Sequence, residues 1–134
     1  MLKKAASLFV AGSALASAFE LEPRQSCPNV HVFGARETTA PAGYGTASVV
    51  TNLVLNAYPG STAEAINYPA CGGQSSCGGV SYANSVVAGV KAVASAVNSF
   101  NTRCPNTLLV LVGYSQVSCT LFDRKGFLIN RFET

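Results

Sequence analysis

Charge is what this sequence has least of. Only 11% of its 134 residues are Asp, Glu, Lys or Arg, against a hydrophobic fraction of 49%, which excludes an intrinsically disordered chain. The formal net charge of +3 supplies no basic surface. Lys3 and Lys4 sit at one extreme, and Arg124, Lys125 and Arg131 at the other. Between Gln25 and Gln116 the cations are Arg36, Lys91 and Arg103 and the anions Glu37 and Glu64, so the balance is 3 − 2 = +1. Neither a nucleic-acid patch nor a polybasic membrane helix can be built from these. There is one histidine, His31, and no zinc-type set of four ligands at a recognisable spacing, so no metal is expected. No Asn-x-Ser/Thr acceptor occurs, so N-glycosylation is not expected. The length allows one domain.

Residues 1–18 read as a signal peptide. Lys3 and Lys4 form its charged start, Ala5 to Leu15 its apolar core, and Ala16-Ser17-Ala18 its cleavage site. The core is too short to span a bilayer. Residues 19–24 read as a short pro-segment ending at Arg24, and no other segment is expected to cross a membrane. The chain is therefore expected outside the cell. Export makes disulfides the default for Cys27, Cys71, Cys77, Cys104 and Cys119. An odd count needs a reason, and Cys119 is the suspect.

Asn29 to Phe33 is a β-branched and aromatic run expected to form a buried strand that Gly34 ends. Thr46 is expected to cap a helix with apolar positions Val49, Val50, Leu53, Val54 and Ala57, stopped by Pro59-Gly60. Ala63 to Tyr68 reads as a second strand. Cys71 to Gly79 is a Gly/Ser loop that suggests a tight turn stapled by its two cysteines. It lacks the lysine and spacing of a phosphate-binding loop. Ser81 opens a long helix with an apolar stripe of Tyr82, Val86, Val90, Val93, Val97 and Phe100, ended at Cys104-Pro105. Thr107 to Val112 is a continuous apolar run, the pattern of a central strand covered on both faces. The β–α–β–α–β order predicts a parallel sheet with helices on its faces.

That last strand runs into Gly113-Tyr114-Ser115-Gln116. A serine two residues past a glycine, directly after a buried strand, is the start of a nucleophile elbow. The sharp turn strains the serine backbone and projects its hydroxyl clear of the sheet. The next backbone N–H then helps hold an oxyanion. Four such common residues are weak evidence alone, because an ordinary strand-to-loop turn fits them too.

Longer blocks are more specific. CPNVHVFGARETT at Cys27 to Thr39, AYPGSTAEAINYPACGGQSSCGGVSY at Ala57 to Tyr82, and GYSQ at Gly113 to Gln116 resemble fungal secreted esterases of the cutinase family. Within that family they are most similar to the acetylxylan esterases, since cutinases proper typically lack the short loop from Cys71 to Cys77. The resemblance implies a three-layer α/β/α sandwich of the small α/β-hydrolase type, a parallel sheet of about five strands, and no cofactor. It implies Ser115 as nucleophile, and the N–H of Gln116 and the N–H and hydroxyl of Thr38 as oxyanion donors. It also implies disulfides Cys27–Cys104 and Cys71–Cys77. A monomer acting on an acetylated polysaccharide or another ester is expected. Cutinase action on longer esters and a non-catalytic secreted binding protein or decoy are the alternatives.

The family pattern breaks after Gln116. The family has glycine or alanine where this chain has Val117, a branched side chain at a crowded position. Charged residues are five of 92 between Gln25 and Gln116, and five of 18 from Val117 to Thr134 (Asp123, Arg124, Lys125, Arg131, Glu133). The family's catalytic aspartate and histidine lie downstream of the serine, and no histidine follows Ser115. His31 is expected to be structural, and Asp123 is not in family context. Residues 25–116 are thus read as the N-terminal part of the esterase domain and 117–134 as a non-family tail. Val117-Ser118 can be encoded GTA AGT, a common fungal intron start, so the tail reads as a retained intron; a spliced transcript in which valine still follows Gln116 would sink that idea. The truncated chain is expected to lack activity and to leave its apolar third strand with an unpaired edge and an uncovered face.

Overall fold

The computed structural model describes residues 26–116. The expected signal peptide, pro-segment and tail, with Val117, Cys119 and Asp123, lie outside the described residues. Strand β1 (Val30–Ala35) is followed by a 3₁₀ turn (Gly45–Ala47), α1 (Ser48–Ala57) and β2 (Thr62–Ala65). A second 3₁₀ turn (Ser75–Cys77), α2 (Tyr82–Arg103) and β3 (Leu108–Gly113) complete the described order. The three strands make one parallel sheet in the order β2-β1-β3, with β1 buried along its whole length.

Helices cover both faces. His31 stacks on Phe100 of α2 and Phe33 meets the same ring edge-on, so the odd-numbered residues of β1 face α2. A Cβ on Gly34 would sit 3.2 Å from Thr51 Oγ1 of α1, so the even-numbered residues face α1. The core on the α2 side is Phe33, Ala35, Ile66, Tyr68, Ala70, Val93 and Phe100, with Leu109 and Leu111 of β3 packed against it. This is the α/β/α layering that the sequence implied.

Several boundaries differ from expectation. Gly34 does not end β1; it lies inside the strand, and the Tyr44 ring occupies the space a Cβ would need there. Thr46 does not cap α1. It sits in the preceding 3₁₀ turn and donates its backbone N–H (2.9 Å) and its hydroxyl (2.8 Å) to the Glu37 carboxylate. The acceptor an N-cap would supply thus comes from a residue nine positions upstream. Those bonds, after one from its own backbone N–H, hold the Glu37 carboxyl below its ordinary range. β2 is only four residues long and ends before Ile66. The inner face of α1 is Thr51, Val54 and Leu55, continued by Ala47 just before it, whereas Val49, Val50 and Leu53 of the expected stripe point outward.

Ser81 caps α2 as expected, accepting from the N–H of Asn84 at 3.2 Å. The buried line of α2 begins with Ser85 and Gly89 and passes to Val93 and Phe100, while Tyr82 is exposed. Small residues replace the expected Val86 and Val90 there because Ser85 is needed for hydrogen bonding, described below. A window within Ser75–Arg103 has the length and mean hydropathy (1.3) of a membrane span, contrary to expectation. It packs against the sheet through Val93 and Phe100 and carries Lys91, Asn84 and Asn98 on its open face, the arrangement of an amphipathic helix lying on a sheet. Both expected disulfides are formed. Cys27–Cys104 ties the entry of β1 to the end of α2, and Cys71–Cys77 closes the small loop.

Candidate active site

In a parallel sheet, sites form beyond the C-terminal ends of the strands. The register pairs Ala35 of β1 with Gly113 of β3, so both strands end at the same level. Thr38 follows three residues after one end and Ser115 two residues after the other. The topology therefore brings these two residues, far apart in sequence, to one edge of the molecule.

Ser115 is exposed and holds φ at +61°. A left-handed φ at a non-glycine residue costs about 1–2 kcal/mol and needs surrounding structure to hold it. Thr39 (φ 67°) and Ala70 (φ 50°) are the other non-glycine residues with positive φ among the described residues, and the Thr39 N–H donates to the Ala70 carbonyl at 2.6 Å. Two of the three strained positions thus meet directly.

The segment 70–72 joins the two halves of the site. On one side it takes the Thr39 N–H, and a Cβ on Gly72 would meet the Thr38 methyl at 3.2 Å. On the other side, the side chain of Gln116 is wholly buried and donates Nε2–H to the Cys71 carbonyl at 3.1 Å. Ser85 closes the ring: its hydroxyl donates to Gln116 Oε1 (3.2 Å) and accepts the Cys71 N–H (2.9 Å). Every polar atom of the Gln116 amide is directed by a partner, so the residue behind Ser115 has one orientation. The Cys71–Cys77 disulfide fixes the loop that supplies the Cys71 carbonyl and N–H to this ring.

The loop carrying Thr38 is held from below by Arg36. This guanidinium is buried and bonds the Ala40 carbonyl (3.0 Å) and the Tyr68 carbonyl, while lying 5.3 Å from the Tyr68 ring centre. The Tyr68 hydroxyl donates back to the Arg36 carbonyl, and burial pushes its pKa up to about 12, so it remains a donor at any physiological pH. Ser115, Gln116 and Thr38, the residues expected from the sequence, lie at this edge; Ser85 and Arg36, which hold their surroundings, were not among those expected. A serine within the apolar stripe of α2 and an arginine directly after a buried strand were the available signals.

His31 is not part of this arrangement. It pairs in register with Leu109, six residues before Ser115, which places it about 20 Å away along the strand. Its Nδ1 shares a hydrogen bond with Thr62 Oγ1 (2.6 Å) and its ring stacks on Phe100 at 3.9 Å. Burial first, and the charge of Arg103 second, lower its pKa. Its Nε2 lies 3.7 Å from the Glu64 carboxylate, too far for a hydrogen bond. Because burial favours the neutral ring, that contact is a near approach and not an ion pair. No group of His, Cys, Asp and Glu suited to a metal ion occurs among the described residues. A depression of about 380 Å³ lies between β2 and the open face of α2, lined by residues such as Glu64 and Ser99 and by none of Thr38, Ser115 and Gln116.

Residues 26–124 match the family model described as Cutinase. The chain is 70% identical over 110 residues to Cutinase 11 of Verticillium dahliae, covering 82% of this chain and 37% of that protein. It is 67% identical over 112 residues to Acetylxylan esterase 2 of Talaromyces purpureogenus, covering 84% of this chain and 48% of that one. Its structure is similar to a solved iodinated complex of acetyl xylan esterase, with a TM-score of 0.70 and 71% identity over 72% of this chain and 46% of the other. The chain thus spans less than half the length of each of these relatives.

Proposed function

The chain belongs to the cutinase family, and from that premise we propose that Ser115 is the nucleophile of a secreted serine esterase whose complete domain removes acetyl groups from xylan. One observation carries the reading: an exposed serine with φ +61° at the C-terminal end of β3, followed by a glutamine whose side chain is fully bonded. In the proposed reaction, Ser115 Oγ attacks the ester carbonyl and passes its proton to a histidine base. The tetrahedral oxyanion is held by the N–H of Gln116 and by Thr38. It collapses to an acetyl-enzyme as the alcohol leaves with the proton. Water then attacks, giving its proton to the same base, and acetate departs as Ser115 regains its hydrogen. His31 does not fill the role of base, because it is buried beside Phe100. An acetyl group is small and uncharged, which fits a site edge with few charges.

The 70% identity to a protein named Cutinase 11 favours a second reading, hydrolysis of longer acyl esters. One fusion tests both. Residues 1–116 are joined to the part of Acetylxylan esterase 2 of Talaromyces purpureogenus that follows its counterpart of Gln116. The fusion is expected to hydrolyse p-nitrophenyl acetate and to deacetylate xylan, and Ser115→Ala is expected to lower the rate on the order of 10⁴-fold or more. A series of acyl lengths separates the two substrates. A folded fusion with the activity of its Ser115→Ala variant would refute the esterase reading.

A further inference from the structure

The depression between β2 and α2 lies on the opposite side of the sheet from α1, and none of Thr38, Ser115 and Gln116 lines it. Its floor is apolar: Ile66 is buried, and Ala92 and Ala96 pack against the same core. Its rim is polar: Asn67, Ser95 and Ser99 are exposed, and no hydrogen bond among the described residues holds their side chains. Glu64 is its one charged lining residue. It pairs in register with Phe33, so its side chain, 44% exposed, is turned towards α2. Behind it lies His31, 3% exposed, whose Nε2 has no hydrogen-bond partner and is aimed at the Glu64 carboxylate from 3.7 Å. With the Thr62 hydroxyl donating to Nδ1, the neutral ring carries its proton on Nε2. A buried donor left unpaired costs about 1–3 kcal/mol, and a shift of Glu64 by about 1 Å would satisfy it. An inward carboxylate on an edge strand also discourages strand pairing. That role, however, needs neither Asn67 nor the two serines and leaves Nε2 unpaired.

This pattern selects a ligand class. The lone carboxylate repels anions, and among the described residues no further acidic group stands beside it to complete a metal site. A sugar ring fits both halves. Its C–H face covers an apolar floor, while its adjacent hydroxyls reach a polar rim where one carboxylate accepts from two at once. The volume of about 380 Å³ is at the lower end of small-molecule sites. We propose that the depression between β2 and α2 binds a pyranose ring with adjacent free hydroxyls, with Glu64 accepting from two of them and Asn67, Ser95 and Ser99 bonding the others. Binding draws the Glu64 carboxylate inward onto the Nε2–H of His31, which then braces it. The site lies on the flank of the molecule. Ala92, its lining residue nearest to Ser85 along α2, is seven residues or about 10 Å from it. The depression therefore holds a sugar without presenting it to Ser115, and the proposal stands apart from the esterase reading.

The test titrates xylose, xylotriose and tetramethylammonium chloride into two proteins. One is the 134-residue chain, whose only histidine makes the imidazole nitrogen NMR signals a direct probe of His31. The other is the single-chain fusion carrying Ser115→Ala, followed by calorimetry; it decides alone where the shorter chain does not fold. Saturable binding of a sugar is expected, with a shift of the His31 Nε2 signal. Tighter binding of xylotriose identifies a sugar chain as the ligand, and equal binding a single free ring. Glu64→Gln is expected to weaken binding about tenfold or more. Ser99→Trp, which fills the depression, is expected to abolish it, and Val49→Thr, on the far side of the sheet, to leave it unchanged. The proposal is overturned if the folded fusion binds neither sugar or binds only tetramethylammonium. It is equally overturned if Glu64→Gln and Ser99→Trp bind the sugars as the unaltered fusion does. Neither readout measures hydrolysis, so failure here is distinct from failure of the esterase reading.

Discussion

Ser115 carries a backbone conformation that an L-residue adopts only at a cost, and that cost can be measured apart from catalysis. Ser115→Gly is expected to raise stability by about 1 kcal/mol, because glycine occupies φ +61° without a Cβ penalty, whereas Ser115→Ala is not. Urea midpoints of the three chains decide it, and equal midpoints would argue against a strained elbow. Ser85 bonds both Gln116 and Cys71 inside the core, so Ser85→Ala leaves an amide oxygen and a backbone N–H unpaired. The expected loss is about 1–3 kcal/mol. In the single-chain fusion the same change is expected to lower kcat with KM nearly unchanged, since it loosens the proposed oxyanion donor, the Gln116 N–H, and not the substrate. His31 titrates with the opposite habit to a paired histidine. Its folded pKa is lowered, so the unfolded chain binds the proton first as pH falls. Its contribution to stability is complete above its unfolded pKa of about 6.5 and is lost as pH drops through its lower folded value. Thermal midpoints at pH 7.5 and pH 5.5 should differ more for this chain than for His31→Phe, which keeps the stack on Phe100 without the titration.

The two disulfides act on segments of different reach. Cys27–Cys104 closes 77 residues and Cys71–Cys77 closes six, so the loop-entropy argument assigns about 4 kcal/mol to the first and about 2 kcal/mol to the second. Paired Cys→Ser variants, compared by urea unfolding, should show that order. The smaller bridge has the larger bearing on the site, because Cys71 contacts both Ser85 and Gln116. Elements were legible where a pattern was local. Ser81 as the cap of α2 and the apolar run of β3 needed only neighbouring residues. Gly34 read as a stop because its reason for being glycine, the Tyr44 ring, is ten residues away. Thr46 read as a cap because the carboxylate of Glu37 that it serves is nine residues upstream.

At the scale of the whole chain, the proposed nucleophile Ser115 has no histidine near it among the described residues. The single histidine lies on the α2 side of β1, about 20 Å along the strand from Ser115. The purified 134-residue chain is therefore expected to hydrolyse p-nitrophenyl acetate no faster than its Ser115→Ala variant, and a rate above that control would contradict the expectation. The outward apolar side chains of α1 and the half-exposed β3 have a consequence at this scale. The 134-residue chain should bind a hydrophobic dye such as ANS more strongly than the single-chain fusion does.

The sequence by itself determined the layer order, the parallel sheet, the position of Ser115 after an apolar strand and the cysteines available for pairing. Each of these is written in a short-range period or in a motif of adjacent residues. It also suggested that this strand is covered on both faces, whereas among the described residues β3 is half-exposed at the edge of the sheet. Only the tertiary structure decided that Ser85 and Cys71 lock Gln116, that Arg36 holds the Thr38 loop, and that the apolar side of α1 faces outward. Those outcomes depend on which distant segments meet, and hydrogen-bond partners 14 to 45 residues apart leave no periodic trace along the chain.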